Sequence, residues 1–229
     1  IALRNGPHAG RLVVPLYFNN DQNWLAMCAT VAYSDDHGET WQLGHGPNEG
    51  RQTPQGELDP QTFVDETWSL HEAAVVERQD GVLVLFMRNQ HPCGRVAVSE
   101  SHDAGQTWGP IRFDEALPEI WCQPNAISLP STEGEDRIVF ANASLMLPFR
   151  GCGVIRLSLD GGRTWRYSRT LNPGHHVYQC MCVLPDGRIG ILWENECQGL
   201  YFSRLPLSWF SDVVETIDPR QAEEQASLS

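Results

Sequence analysis

The sequence predicts an all-β fold made of repeated four-stranded sheets, a β-propeller. Three observations point to it. An octet of the form S-x-D-x-G-x-T-W occurs three times, at Ser34–Trp41, Ser101–Trp108 and Ser158–Trp165, with starts 67 and 57 residues apart. A second element recurs upstream of the octets: two apolar runs joined by a Gly-containing turn, which is a hairpin signature. Long apolar periodicity of the helical kind is absent. Sheets repeated at this spacing are the mark of a propeller.

The elements follow in chain order. A loose hairpin spans Leu3 to Val14, ahead of the first octet. The clearest hairpin runs from Val75 to Leu85 around Asp80-Gly81, and Val96-Ala97-Val98-Ser99 is a third strand that ends at the second octet. A looser hairpin from Ile127 to Phe140 precedes the third strand Val154-Ile155-Arg156-Leu157, which ends at the third octet. A last hairpin spans Cys182 to Leu192 around Asp186-Gly187. Each octet has tight-turn chemistry. Its Asp accepts backbone N–H groups, its Gly supplies a positive φ, and its Trp packs beneath. The octets are therefore read as folding elements and not as catalytic ones. The propeller is expected over residues 1–210, and 211–229, polar and rich in Glu and Gln, reads as a frayed tail or short terminal helix.

Composition narrows the function. The 229 residues carry 29 acidic against 16 basic side chains, a formal charge of −13. Nucleic acid wants a basic surface, so it is not an expected partner. No apolar run reaches the roughly 18 residues that span a bilayer. All the basic residues are arginines, which leaves the guanidinium fork as the strong cationic recognition group. Seven cysteines leave at least one thiol unpaired. Cys180 and Cys182 share one face of a strand, lack a matching Cys/His pair, and are expected to be small buried hydrophobes; no metal site or cofactor is predicted. The first residues do not read as a signal peptide, and the sequence leaves secretion versus cytosol open.

Propeller geometry says which polar residues converge. The start of a sheet's first strand, the end of its second and the start of its third share a face, whereas the octet turns lie on the opposite one. Glu72 precedes a first strand, Arg88 ends the second strand of the same unit, Arg150 precedes a third strand, and Tyr178 precedes the first strand of the last unit. Taken singly, Arg88 and Arg150 each suit a structural ion pair. Taken together, two guanidinium groups suit a planar carboxylate ligand, and a phenol beside an acid is a nucleophile with its base. His175 and His176 adjoin Tyr178 and are expected at a loop or rim. Trp121, Cys122 and Gln123 are candidates to line a pocket.

These residues resemble the exo-α-sialidase (neuraminidase) family, whose octets are called Asp-boxes. The match runs from Gly10-Arg11-Leu12-Val13-Val14-Pro15 through the Glu72 and Arg88 segment, past Arg150 to Tyr178, then Leu184-Pro185-Asp186-Gly187 and Leu192-Trp193-Glu194. The resemblance implies a six-bladed propeller, of which this chain covers about four blades. It also implies Tyr178 as nucleophile, Glu72 as its general base, and Arg88 and Arg150 as two of three arginines that hold the sialic acid carboxylate. Glu194 would orient the third. A neutral phenol avoids the like-charge repulsion that a carboxylate nucleophile would meet at the anomeric carbon, and sialidases are the known Tyr exception among retaining glycosidases. The first arginine and an acid/base Asp are expected from N-terminal blades preceding Ile1; Arg4 and Asp21 are poorly placed for those roles. Trp193 stands where the family often has Tyr, and Gln179 where Ser commonly follows the nucleophile. Glu194 taken by itself reads equally as a structural or solvated acid.

Two function classes follow. One is a retaining exo-sialidase acting on terminal α-linked sialic acids of glycoconjugates. The other is a non-catalytic propeller that binds glycans or proteins through a decayed site.

Overall fold

A computed structural model of the chain describes residues 1–20, 22–130, 134–146, 149–195 and 198–211. The tail expected at 211–229 and the Leu147-Pro148 step before Arg150 lie almost wholly outside those residues, as does Asp21. The chain is all-β, and its described residues divide into two compact units, Ile1–Asn125 and Ala126–Ser229.

The first unit holds two antiparallel sheets. One is three-stranded, β1 (Leu12–Asn19), β2 (Met27–Ser34) and β3 (Gln42–Leu43). Ahead of it Ala2 bridges Leu12, which closes the expected Leu3–Val14 hairpin. A two-stranded ribbon, β4 (Gln52–Thr53) and β5 (Gly56–Glu57), rises from the loop that follows. The other sheet is a four-stranded meander, β6 (Leu70–Glu77), β7 (Leu83–Asn89), β8 (Arg95–Ser101) and β9 (Arg112–Pro118), with neighbours paired in sequence order. The predicted hairpin 75–85 is β6–β7, and the predicted third strand 96–99 lies in β8. Val13, Val31, Leu83, Leu85 and Met87 interlock as one core between the sheets. Alternate residues of β7, Leu83, Leu85 and Met87, enter this core, and Val84 and Phe86 between them are equally buried on the other face, so the inner strands are covered on both sides.

The second unit repeats the plan. Strands β10 (Asn125–Ser128), β11 (Ile138–Met146), β12 (Arg150–Ser158) and β13 (Tyr167–His175) form a four-stranded meander. Strands β14 (Gln179–Val183), β15 (Ile189–Glu194) and β16 (Leu200–Leu205) form a three-stranded sheet. Val139, Ile155, Leu157, Met181, Ile189 and Ile191 make the core between them. Cys180 and Cys182 do share a face of β14, but that face is exposed and Met181 takes the buried side, so the expectation of burial is corrected. The period of two was right; which side met the core depended on the neighbouring sheet.

The three octets are one turn built three times. Ser101 Oγ accepts from Gly105 N–H at 2.9 Å and donates to Asp103 Oδ1 at 2.8 Å. Asp103 in turn accepts from the Thr107 amide at 2.8 Å and from its hydroxyl at 2.5 Å. Asp36 and Asp160 make the same pair of bonds to Thr40 and Thr164. Gly38, Gly105 and Gly162 take φ of +92°, +91° and +80°, the left-handed region that an L side chain resists. The hydroxyl and amide of Thr40 hold Asp36 down at about 2. Trp108 and Trp165 pack into their cores as expected. Trp41 does not: it is half exposed just before the short strand β3, and its indole N–H folds back onto Gly38 C=O at 3.0 Å.

The octets are thus stability elements. Asp103→Ala strands an amide and two hydroxyls and is expected to lower stability by about 2–3 kcal/mol in thermal or urea unfolding. Asp36→Ala, in the more exposed turn, is expected to lower it by less. Equal melting temperatures for wild type and Asp103→Ala would contradict this account.

Candidate active site

Within the first unit the sheet β6–β9 brings Glu72 and Arg88 together. Glu72 was expected just ahead of a first strand; it lies inside β6, at a register shift. Leu70 pairs with Asn89 and Ala73 with Met87, so His71 and Glu72 on β6 oppose Arg88 alone on β7. This is a β-bulge, which re-aims a side chain at the cost of local pairing. Here it turns Glu72 toward its neighbour. Arg88 Nη1 donates to Glu72 Oε2 at 2.8 Å, and both side chains keep about a fifth of their surface. Arg88 Nε is buried without a hydrogen-bond partner. His71, next along the bulge, is buried; desolvation and then the Arg88 charge push its imidazole down to about 4.

Within the second unit β12 and the β13–β14 connection bring Arg150 and Tyr178 together. Arg150, expected just ahead of a third strand, is the first residue of β12, and Tyr178 stands immediately before β14 as expected. Arg150 Nη1 donates to Tyr178 Oη at 3.4 Å, and its Cζ lies 5.2 Å from the centre of the phenol ring. Glu194 ends β15. Its backbone clasps the Tyr178 segment on both sides: Val177 N–H donates to Glu194 C=O and Glu194 N–H to Tyr178 C=O, each at 3.1 Å. The strand end that carries Glu194 therefore also fixes the backbone of Tyr178.

Two residues escaped sequence reasoning. Glu119 sits in the β9 exit loop, 7% exposed, where Cys122 N–H donates to its Oε1 at 2.9 Å and its Oε2 is buried without a partner. Burial pushes its carboxyl up to about 7, against the opposing pull of the Cys122 amide and the Arg88 charge. An acid between Pro118 and Ile120 gives no sequence signal of burial; only the turn encloses it. Beside it Trp121, a candidate pocket residue, is 59% exposed at φ +63°, while Cys122 is buried. The second is His176, expected at a rim and found almost wholly buried. Its ring stacks on Trp193 at 5.4 Å, which a strand-alternation argument could not foresee because 176–178 is a loop.

Among the described residues no group of three or more His, Cys, Asp or Glu side chains is arranged to hold a metal ion, and no helix is long and apolar enough to cross a membrane.

A family model described as a BNR repeat-like domain matches residues 3–191. The chain belongs to the BNR repeat-like domain family. Two of its relatives are named sialidase. It is 30% identical over 217 residues to a sialidase of Micromonospora viridifaciens, covering 93% of this chain and 30% of that protein. It is 29% identical over 233 residues to a sialidase of Bacteroides fragilis (strain YCH46), covering 87% of this chain and 42% of that protein. The chain thus spans less than half the length of both relatives. Its fold matches the intramolecular trans-sialidase of Ruminococcus gnavus, solved in complex with oseltamivir carboxylate, with a TM-score of 0.68 at 23% identity over 93% of this chain and 44% of that one. The fold class is accordingly the sialidase-like β-propeller, to which the repeated octets had pointed.

The Glu119 carboxyl carries a pH signature for this BNR-repeat chain. Unfolded, it ionises near its ordinary 4.5; folded, it keeps its proton until about 7. The folded state then binds more protons between those values, so stability falls as pH rises from about 4.5 to 7 and stays lower above. Glu119→Gln keeps the acceptor for Cys122 N–H and removes the ionisation. Its melting temperature is expected to drop less than the wild type's between pH 5 and 8, a difference on the order of 3 kcal/mol at most. Parallel profiles would remove Glu119 as the cause.

Proposed function

We propose that this chain is part of a retaining exo-α-sialidase that releases terminal α-linked sialic acids from glycoconjugates. In this reading Tyr178 is the nucleophile and Glu72 the base that activates it. Arg88 and Arg150 bind the substrate carboxylate, and Glu194 orients a third arginine. That arginine and an acid/base aspartate would come from blades N-terminal to those described, which would complete a six-bladed ring. The substrate partner is a sialylated glycan, and no cofactor is invoked.

The observation that carries the reading is the contact between Tyr178 Oη and the Arg150 guanidinium at 3.4 Å. A phenol is a poor nucleophile until its proton leaves, and a fixed cation beside the oxygen stabilises the negative charge that builds there. Attack by that oxygen at the anomeric carbon gives a glycosyl-enzyme, and water then displaces it with net retention. A phenol nucleophile, unlike a carboxylate, avoids like-charge repulsion from the sugar's own carboxylate. The Glu72–Arg88 pair supports the same reading from the other unit. One carboxylate oxygen is anchored, which leaves the second available to take a proton, and the guanidinium is held in a fixed orientation. The relatives named sialidase support the substrate class. The −13 charge does not argue against an acidic substrate. Screening removes most repulsion beyond about 10 Å at moderate salt, whereas the arginines act at contact.

Turnover of a fluorogenic sialoside by the full-length protein tests this. Tyr178→Phe is expected to abolish it, and Glu72→Gln to lower kcat by about 100-fold or more with the fold intact by circular dichroism. Sialoside binding without turnover in the wild type would favour the non-catalytic propeller instead. Undiminished turnover in Glu72→Gln would take Glu72 out of the mechanism.

A further inference from the structure

His176 has no part in the chemistry above, yet it is the most enclosed side chain near Tyr178. It is 1% exposed, and its ring lies flat over Gly153 of β12. A Cβ on Gly153 would sit 2.3 Å from His176 Nδ1 and 2.5 Å from Cγ, so only glycine leaves room for the ring. On another side the ring stacks on Trp193 of β15 at 24° between planes, and Trp193 stacks in turn on Tyr201 of β16 at 4.5 Å. The indole N–H of Trp193 donates to Ser203 Oγ at 3.2 Å, which fixes the plane that His176 meets. The His176 amide donates to Arg150 C=O at 3.2 Å.

The side-chain bonds define the imidazole's tautomer. Gln179 Nε2 donates to Ala141 C=O of β11 at 3.2 Å, so the amide oxygen is the atom turned toward the ring. That oxygen lies 2.9 Å from His176 Nε2, which must therefore carry the hydrogen. Nδ1 is then a bare lone pair, buried without a partner. A ring whose only task was to fill space would not need this bond, and a phenyl group would avoid the orphaned nitrogen.

The His176–Gln179 bond spans Tyr178. It closes a short loop from two residues before the phenol to one after it, while the backbone of the same loop is clasped by Glu194.

We propose that His176 is a positioning residue for Tyr178: its ring, seated on Gly153, stacked on Trp193 and bonded to Gln179, holds the 176–179 segment so that the phenol oxygen stays beside Arg150. The kinetic consequence rests on Tyr178 being the nucleophile; the clamp itself does not. Burial lowers the imidazole's proton affinity, while the Gln179 bond and the Glu194 charge on β15 pull the other way. The remaining charged group at the clamp is Arg150, whose carbonyl accepts the His176 amide.

Two substitutions perturb the clamp without touching a reacting group. Gly153→Ala displaces the ring, and Gln179→Ala removes its hydrogen bond without adding bulk, so one remains informative if the other fails to fold. In the full-length protein each is expected to lower sialoside kcat on the order of 10-fold, with KM within about 2-fold. A residue that only adds stability would leave both constants unchanged at a temperature where the variants stay folded, and that result in both variants overturns the proposal. The clamp is also read without turnover. In NMR spectra of histidine-labelled wild type, the neutral His176 ring is expected as the Nε2–H tautomer, and the Tyr178 ring resonances are expected to move in Gln179→Ala. A His176 that titrates like a free imidazole, or Tyr178 resonances unmoved in both variants, overturns it. If the wild type hydrolyses no sialoside but the resonances behave as expected, the sialidase reading falls and the positioning of Tyr178 stands.

Discussion

A carboxylate that closes a turn by accepting an amide and two hydroxyls is the interaction on which the remaining structure depends. Asp36, Asp103 and Asp160 each do this at the outer end of a sheet, at 2.5–2.9 Å from Thr and Ser partners. The turn sets where the outer strand can begin, and so sets the register of each meander. Register in turn decides which residues of each strand meet the core. In Asp103 and Asp160 burial pushes the carboxyl up, and the Thr and Ser donors together more than offset it, so both stay below the usual carboxylate range. The turns thus keep charged acids in partly desolvated places without an arginine at any of the three carboxylates.

Arginines serve elsewhere. Arg11 is buried on the Tyr33 ring, grips both oxygens of Asp35 at 2.7 and 2.8 Å, and reaches the carbonyl of Ala104, so that it ties the first octet turn to the second. Arg78 is fully enclosed and grips both oxygens of Glu100 at 2.9 and 2.6 Å. A planar fork makes such paired contacts and an ammonium does not. This gives a physical reason for arginine at those positions in a chain that has no lysine. Arg88 and Arg150, near strand ends, are only partly covered, and each makes a side-chain bond from Nη1, to Glu72 Oε2 and to Tyr178 Oη.

In each unit the regular sheet is modified where the candidate residues lie. In β6 a single extra residue turns Glu72 toward Arg88. In β12 register shifts near Gly151 and Gly153 accompany the close approach of the 174–176 backbone and the His176 ring. Each irregularity interrupts pairing, and each is compensated nearby: by an ion pair in one case, by aromatic stacking and a glutamine bridge in the other. Sheet interiors carry no comparable register departures at Val84–Phe86 or Val154–Leu157.

The sequence by itself determined the fold class, the strand order and the turn chemistry, because these rest on local rules: a period of two, a glycine at positive φ, an aspartate two residues after a serine. It also marked Glu72, Arg88, Arg150 and Tyr178, since strand ends can be counted from those same turns. What it could not decide was set by contacts between sheets far apart in the chain. Cys180 and Cys182 face water because the core lies on the Met181 side. Glu119 is enclosed because the loop after β9 folds over it, and His176 is buried because Gly153 and Trp193, 23 and 17 residues away, make a slot the width of one ring. Alternation along a strand is a property of the backbone and is legible in one dimension; the depth at which a loop side chain comes to rest depends on distant surfaces and exists only once they have met.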